Sequence, residues 1–173
     1  MKLTILQVKT AEEIEDLASL AAEIWREYYV ILITMEQIDY MIGKFQSVPA
    51  ITDQINHQGY EYYLIREDGF AVGYLSCKQE EDKLFLSKFY IDKERRGRGY
   101  ASQAMVFLEQ LCQERNLRRI WLTVNRHNES SIGVYEKKGF RIVRDQLADI
   151  GNGFVMDDYI MEKEIPAPVN RPY

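Results

Sequence analysis

The chain is predicted to fold as a mixed α+β protein in which helices flank a largely antiparallel central sheet of six or seven strands. Three observations predict this class. Apolar residues recur at helical spacing between Ile14 and Phe45. The middle of the chain changes to short apolar runs separated by polar turns, which is typical of a meander of strands. A further helical run from Ala101 and a closing pair of strands then complete the alternation.

The first third of the chain carries local signals for helix starts. A strand is expected over residues 2–9, and Thr10 with Glu13 has the spacing of a capping box, in which two side chains satisfy free N–H groups of a helix start. Thr34, with a glutamine three residues later, predicts the start of a second helix. Val48-Pro49 is expected to end that helix, because the residue before proline is biased away from helical dihedrals.

The remaining elements follow from period and turn residues. Two helices are expected, one from Ala101 to Cys112 and one from Asn128 to Lys138, with Gly139 at the position where helices favour glycine. The predicted strands are Tyr60–Arg66, Ala71–Cys77, Leu84–Ile91, Ile120–Val124, Phe140–Leu147 and Val155–Glu164.

Composition and charge exclude several classes of protein. Hydrophobic residues make up 46% of the 173 residues and charged residues 28%, which is an ordinary globular balance. The net charge of −5 argues against a nucleic-acid partner. Cys77 and Cys112 lie in apolar contexts, and neither they nor the two histidines have partners at metal-ligand spacing, so no metal is expected.

The domain organisation and location are also predicted. We expect one domain over residues 1–165 and a loose tail over residues 166–173, which contain three of the four prolines. No run of apolar residues approaches the length of a membrane span, so we expect no membrane partner and a cytoplasmic location. A homodimer is among the expected assemblies.

The run from Arg96 to Ala101 is the most specific motif in the chain. Gly97 and Gly99 lie between a predicted strand and a predicted helix, where glycine allows a tight turn with exposed N–H groups. The helix start adds further N–H donors and the positive end of its dipole, and together these groups can bind a pyrophosphate. Taken alone, the run could equally be a surface turn. A P-loop sequence is absent, and a dinucleotide motif belongs in an N-terminal parallel βαβ unit.

Two further segments contain groups that could bind a ligand or take part in a reaction. The strand ending in Phe89-Tyr90-Ile91 can offer main-chain groups to an extended amide chain such as pantetheine, although an ordinary interior strand has the same pattern. Asn128 can cap the following helix, and Tyr135 lies on about the same face of that helix, where a phenol can donate a proton to a departing thiolate. Tyrosine is common in helices, so Tyr135 alone carries little weight.

Together the three segments resemble the GNAT-type superfamily of N-acetyltransferases. The order of a strand, an RGxGxA loop, a helix, an apolar strand and NxxSxxxYxxxGF is that of the family, and the specific likeness runs from about Leu84 to Phe140. The family's loop pattern is met by Arg96, Gly99 and Ala101. The resemblance implies acetyl-coenzyme A as co-substrate, without a metal, and a coenzyme cleft between the strand ending near Ile91 and the strand at 120–124.

The resemblance also implies roles for individual residues. Tyr135 would protonate the leaving thiolate. The cofactor-binding residues would be Phe89, Tyr90, Ile91, Arg96, Gly97, Arg98, Gly99, Tyr100, Ala101, Ser102, Asn128 and Lys137. Trp25 and Tyr29 lie where the family's variable first helices form a wall of the acceptor site, although aromatic residues on an inner helix face can also be plain core.

The sequence departs from the family pattern at two places. Ser131 stands where the family often has alanine. No general base can be assigned, because Ser87 and Lys88 occupy the strand segment where some members place a glutamate. A water relay, Glu61, Tyr63 and Asp92 are the alternatives.

The predicted function is transfer of an acetyl group to the primary amine of a small molecule, with polyamine-like acceptors among those considered. The transfer would be direct, without a covalent enzyme intermediate. One alternative is an acetyltransferase acting on lysines or N-termini of proteins. The other is a module that binds coenzyme A without turnover.

Overall fold

A computed structural model describes residues 3–167 of the chain. Its seven strands form one sheet in the order β1-β2-β3-β4-β5-β7-β6. The elements in chain order are β1 (Leu3–Gln7), α1 (Ala11–Tyr28), α2 (Met35–Phe45), α3 (Val48–His57), β2 (Tyr60–Glu67), β3 (Phe70–Glu80), β4 (Lys83–Ile91), α4 (Tyr100–Glu114), β5 (Arg119–Asn125), α5 (Glu129–Lys137), β6 (Arg141–Gly151) and β7 (Phe154–Glu164). The mixed α+β prediction is confirmed.

Most neighbouring strands pair antiparallel, as the meander pattern predicts. The antiparallel pairs are β1 with β2, β2 with β3, β5 with β7 and β6 with β7. In contrast, β4 and β5 pair parallel, with Lys83–Phe85 opposite Arg119–Trp121. The β4–β5 ladder therefore stops six residues before β4 ends at Ile91.

The chain divides into two compact units. The first contains residues 3–78 and 87–101, and the second contains residues 79–86 and 102–167. The expectation of one domain over residues 1–165 stays a prediction. Of the predicted tail, Pro166 and Ala167 belong to the described residues, and residues 168–173 lie outside them.

The first unit is built around the apolar face of α1. Its capping box is confirmed, because Glu13 N–H donates to the Thr10 hydroxyl and Thr10 N–H donates to the Glu13 carboxylate, at 3.1 and 2.9 Å. Thr34 likewise caps α2, as predicted. The residues that α1 buries are Ile14, Leu17, Ala21, Ile24 and Trp25. Because these five side chains face the core, the other residues of α1 lie nearer the surface, including those at its C-terminal end.

A third helix in the first unit corrects the expected role of Val48-Pro49. These residues form the first turn of α3 rather than the stop of α2, which already ends at Phe45. The Ser47 hydroxyl caps α3 by accepting a hydrogen bond from Ala50 N–H at 3.3 Å. Proline is tolerated there because the first N–H groups of a helix have no partner within it.

The second unit carries the pattern expected for α4, β5, α5 and the closing hairpin. Strand β5 alternates between buried residues and residues that are half-buried or exposed, with Ile120, Leu122 and Val124 in the core. Asn128 caps α5 as predicted, and Gly139 follows the helix with a φ of 96°. The hairpin of β6 and β7 turns through Asn152 and Gly153, both with positive φ.

Candidate active site

The loop between β4 and α4 follows a path that only glycine adopts easily. Asp92 N–H donates to Val72 C=O at 2.8 Å, and a single 3-10 turn over Lys93–Arg95 follows. Gly97 and Gly99 then have φ values of 78° and 83°, and α4 begins at Tyr100. Because L side chains disfavour this region, the two glycines are what allow the chain to turn into the helix.

The amides of this loop are available to a ligand. Within residues 3–167, no backbone hydrogen bond uses the N–H of Gly97, Arg98 or Gly99 as donor. A Cβ built on either glycine would meet no atom within 4 Å, so the space above them is open. The first N–H groups of α4 add donors to the same segment. Several N–H groups at a helix start are the arrangement that binds phosphate oxygens.

The side chain of Arg96 is directed toward α1. Its Nε donates to Ile91 C=O at 2.9 Å, and its Nη2 forms an ion pair with Glu27 at 2.8 Å. The guanidinium also lies over the ring of Tyr28, 5.1 Å from the centroid. These contacts tie the loop to the C-terminal end of α1. The expected coenzyme contact of Arg96 stays a prediction.

The side chain of Tyr100 is buried in the first unit, with 6% of its surface exposed. The Glu67 carboxylate beside it raises the pKa of the Tyr100 phenol, and Arg98 opposes that effect. Tyr100 can therefore offer its main-chain N–H to a ligand more readily than its ring.

The end of β4 lies unusually close to β3. A Cβ on Gly73 would lie 2.4 Å from Tyr90 C=O and 2.8 Å from Ile91 Cδ1, so glycine is required at this crossing point. Phe89 and Tyr90 are half-buried, and Ile91 is buried. All three residues lie in the part of β4 that continues beyond its pairing with β5. The expected binding of pantetheine uses main-chain groups of this part.

Five aromatic residues of the first unit form what we call the aromatic cluster. Its members are Trp25, Tyr28, Tyr29, Tyr74 and Tyr90, whose ring centroids lie 5.1–6.1 Å apart in the contacting pairs. The indole N–H of Trp25 donates to the Tyr74 hydroxyl at 2.7 Å, and Trp25 is only 2% exposed. The hydroxyls of Tyr29 and Tyr90 lie 2.5 Å apart. Of the two predicted acceptor residues, Tyr29 is half-buried and Trp25 is part of the core.

A chain of polar side chains continues from the aromatic cluster into the core. Tyr74 donates to Gln46 at 2.6 Å, Gln46 donates to Tyr62 at 3.1 Å, and Tyr62 donates to Gln54. Burial raises the pKa of Tyr62 to about 12 and raises those of Tyr74 and Tyr90 well above their usual value. These phenols therefore remain protonated near neutral pH, and they act as hydrogen-bond donors rather than as bases.

The expected bases are half-buried carboxylates and one buried phenol. Glu61 accepts a long hydrogen bond from Tyr63 at 3.4 Å and lies opposite Cys77 on the β2–β3 ladder. Asp92 precedes the 3-10 turn without capping it through its side chain. The choice of base stays a prediction.

In the second unit, Asn128, Ser131 and Tyr135 lie along one side of α5. The Asn128 side chain accepts a hydrogen bond from Ser131 N–H at 3.2 Å, so the serine's main chain is part of the cap. The half-buried ring of Tyr135 packs edge-on against buried Phe140, with centroids 5.4 Å apart at 67°. Phe140 N–H also donates to Tyr135 C=O at 3.0 Å. The phenol of Tyr135, the expected proton donor, is thus held in place by its contacts with Phe140 after the end of α5.

A lysine that sequence reasoning missed lies beside the start of α4. Lys138 Nζ donates to the Ser102 hydroxyl at 2.7 Å, whereas Lys137, the predicted phosphate contact, is exposed at the end of α5. Lys163 donates to Lys138 C=O at 2.6 Å and holds this helix end. Residues 131, 135 and 138 have the i, i+4, i+7 spacing of one helix face, and that spacing could have identified Lys138.

Neither a metal-binding cluster nor a membrane-spanning helix is found among residues 3–167. In residues 3–167 no group of three or more histidine, cysteine, aspartate or glutamate residues is arranged to hold a metal ion. Among the helices of the described part of the chain, none is both long enough and apolar enough to cross a membrane.

Comparison with known proteins shows the class to which this fold and loop belong. The sequence model of the acetyltransferase (GNAT) family matches residues 17–140. The chain therefore belongs to the GNAT family of acetyltransferases, which confirms the resemblance, the assignment as an acyltransferase and acetyl-coenzyme A as the acetyl donor.

Two solved structures agree with this assignment at the level of fold, and one relative agrees over part of its sequence. The PaiA N-acetyltransferase from Thermoplasma acidophilum, solved in complex with coenzyme A, is 21% identical with a TM-score of 0.78, over 95% of this chain and 99% of its own. The ribosomal-protein-S18-alanine N-acetyltransferase from Escherichia coli is 16% identical with a TM-score of 0.69, over 99% of each chain. An uncharacterized N-acetyltransferase of Bacillus subtilis, YycN, is 33% identical over 61 residues, which cover 35% of this chain and 39% of the relative.

Proposed function

We propose that the protein transfers the acetyl group of acetyl-coenzyme A to the primary amine of a small molecule, by direct attack. The observation that carries the proposal is the loop of Gly97 and Gly99, whose unpaired amides and open space precede the first turn of α4. The pyrophosphate of the coenzyme would accept hydrogen bonds from the amides between Gly97 and Ser102. We place the enzyme in the cytoplasm, which is consistent with two free, buried cysteines.

The strand before the loop supports a binding mode for the rest of the coenzyme. Beyond Phe85, β4 no longer pairs with β5, so its main-chain groups up to Ile91 can bond to an extended amide chain. In this proposal an N–H near Tyr90 or Ile91 donates to the acetyl carbonyl. That bond strengthens as the oxygen gains negative charge in the tetrahedral intermediate.

The proton steps complete the proposed reaction. The acceptor ammonium first loses a proton to a base or a water chain, since only the neutral amine can attack. The new C–N bond forms as the carbonyl becomes tetrahedral, and the attacking nitrogen then loses a second proton to the base or to solvent as the C–S bond breaks. Tyr135 donates its phenolic proton to the departing thiolate and regains a proton from solvent before the next turnover. The edge-on contact with Phe140 supports this role because it fixes the phenol against a buried side chain.

Two classes of acetyl acceptor are candidates, a small amine and a protein. Tyr29 and its neighbours in the aromatic cluster suit a small amine, because aromatic faces attract alkylammonium groups. A protein acceptor is the second candidate, favoured by the similarity in fold to the enzyme described as acting on the alanine of ribosomal protein S18.

Calorimetry and an acceptor screen test the proposal together. Acetyl-coenzyme A should bind the purified chain, and free thiol should be released with amines in a panel of polyamines, aminoglycosides, amino acids and peptides. Release with peptides alone would select the protein acceptor. Binding without release for any acceptor would leave a coenzyme-binding module, and absence of binding would refute the proposal as a whole.

The role of Tyr135 is tested separately with a matched phenol. Tyr135→Phe should lower kcat by about tenfold or more while leaving the Kd of acetyl-coenzyme A nearly unchanged, because general acid catalysis contributes about 10²–10⁴-fold. Tyr40→Phe on α2 is the control and should leave kcat unchanged. Equal kcat values for Tyr135→Phe and the wild type would remove Tyr135 from the reaction.

A further inference from the structure

Glu67, the last residue of β2, is a carboxylate buried in the first unit. Its side chain is 4% exposed, and its Oε2 accepts a hydrogen bond from Arg95 Nη1 at 3.2 Å. The side chain of Arg95 is itself 36% exposed. Removing a carboxylate from water is costly unless it is paired. A buried Glu67 therefore needs the residues around it. Those residues belong to the segment from Arg95 to Tyr100, here called the phosphate loop because the proposed function assigns the coenzyme pyrophosphate to it.

The second neighbour of Glu67 is Tyr100, the first residue of α4. The carboxylate is near enough to raise the pKa of the Tyr100 phenol, although the two groups do not form a hydrogen bond of ordinary geometry. Glu67 Oε1 and the Tyr100 hydroxyl are both buried, and neither has a hydrogen-bond partner within residues 3–167. A small movement of either side chain would satisfy both atoms at once.

We propose that Glu67 is a positioning residue for the phosphate loop, holding Arg95 before the two glycines and Tyr100 after them. This inference rests on the proposed function, because it assigns Glu67 to the loop through which the coenzyme binds. Arg95 and Tyr100 lie on either side of the Gly97–Gly99 segment, and Glu67 is 28 residues away from Arg95 in sequence. Glu67 thus lies beside a residue on each side of the glycine segment.

The loop needs such a support because its central residues are glycines. Within residues 3–167, a Cβ built on Gly97 or Gly99 would meet nothing within 4 Å, so no close packing at these positions holds their dihedral angles. A free loop of this kind loses conformational entropy when its amides converge on one anion, and that loss weakens binding. Fixing both ends of the loop before the ligand arrives reduces the loss. Glu27 supplies a further tie through Arg96.

The sign of the effect separates positioning from simple electrostatics. A negative charge near a diphosphate repels it, so an electrostatic role predicts that neutralising Glu67 tightens binding. A positioning role predicts weaker binding, because the ends of the loop are released. A merely structural role changes the melting temperature and leaves the Kd of the coenzyme unchanged.

The experiment measures the Kd of coenzyme A by calorimetry for the wild type, Glu67→Gln, Tyr100→Phe and the double variant, well below each melting temperature. We expect Glu67→Gln to weaken binding by about tenfold, and the KM of the acceptor at saturating acetyl-coenzyme A to stay unchanged. The double variant should be no weaker than Glu67→Gln, because Tyr100→Phe acts only through the interaction of the phenol with that carboxylate. Glu80→Gln is the matched control, since Glu80 accepts a hydrogen bond from Trp121 at 2.8 Å.

The possible results separate the proposed function from the positioning role of Glu67. A wild type that does not bind coenzyme A would refute the proposed function. A wild type that binds, with Glu67→Gln binding equally well or more tightly, would overturn the positioning role alone. If Glu67→Gln does not fold, Tyr100→Phe decides, because it removes one oxygen atom and keeps the ring. An unchanged Kd for that variant, or additive losses in the double variant, would likewise overturn the inference.

Discussion

Replacing Gly73 by alanine should displace the end of β4 and weaken both stability and coenzyme binding. The added Cβ would lie 2.4 Å from Tyr90 C=O and 3.2 Å from Ile91 Cα, and both of these contacts are with backbone. An ordinary contact is about 3.5 Å, so β4 has to move by about 1 Å. The groups that move are the main-chain atoms that the proposed function assigns to the coenzyme.

The size of the effect follows from overpacking. Forcing extra atoms into a packed site costs about 1–3 kcal/mol. Alanine also restricts the unfolded chain more than glycine does, and this effect offsets about 0.4–1 kcal/mol of the cost. A net loss near 1.5 kcal/mol should lower the melting temperature by about 3–6 °C in a protein of this length.

Gly133→Ala is the matched control for this substitution. Gly133 lies in α5, and a Cβ there would meet nothing within 4 Å. Alanine is favoured over glycine within a helix by about 0.5–1 kcal/mol, so this variant should melt about 1–4 °C higher than the wild type. Thermal unfolding followed by circular dichroism measures both variants, and calorimetry with acetyl-coenzyme A measures the binding. A Gly73→Ala variant that melts and binds as the wild type does would refute the argument from close strand approach.

Three further predictions concern single side chains. Lys138→Ala should raise the Kd of acetyl-coenzyme A by about two- to fivefold through loss of one partly exposed cation, and it should raise the Kd more than Lys137→Ala does. A larger effect of Lys137→Ala in calorimetry would instead support the resemblance, which places Lys137 at the phosphate. Burial raises the pKa of the Tyr62 phenol to about 12. Its contribution to the free energy of unfolding is therefore complete below pH 10 and falls by about 3 kcal/mol between pH 10 and 12. In urea unfolding, Tyr62→Phe should lose less stability than the wild type over this pH range, and an equal loss would contradict the burial argument. Thr10→Ala removes the cap of α1 and should cost about 1 kcal/mol in the same assay, whereas a change below about 0.3 kcal/mol would show that the cap is dispensable.

Features that depend on neighbours in the chain were predictable from the sequence. The capping of α1 at Thr10 and of α5 at Asn128 depends on contacts three residues apart, and both are present. The glycines of the phosphate loop have the positive φ that their placement between a strand and a helix requires. The start of α3 was missed, although its signals are also local, because Ser47 as a cap competes with proline as a stop signal.

Other features were decided by tertiary structure alone. Trp25 bonds to Tyr74 across 49 residues, and that contact makes the indole a core group. Glu67 meets the phosphate loop only because β2 ends beside it, and no spacing in the sequence relates Glu67 to Arg95. The need for glycine at position 73 arises from the approach of β4. Sequence patterns report the dihedral preferences and hydrogen bonds of residues within about one helical turn of each other, whereas these contacts depend on which strands and helices pack together.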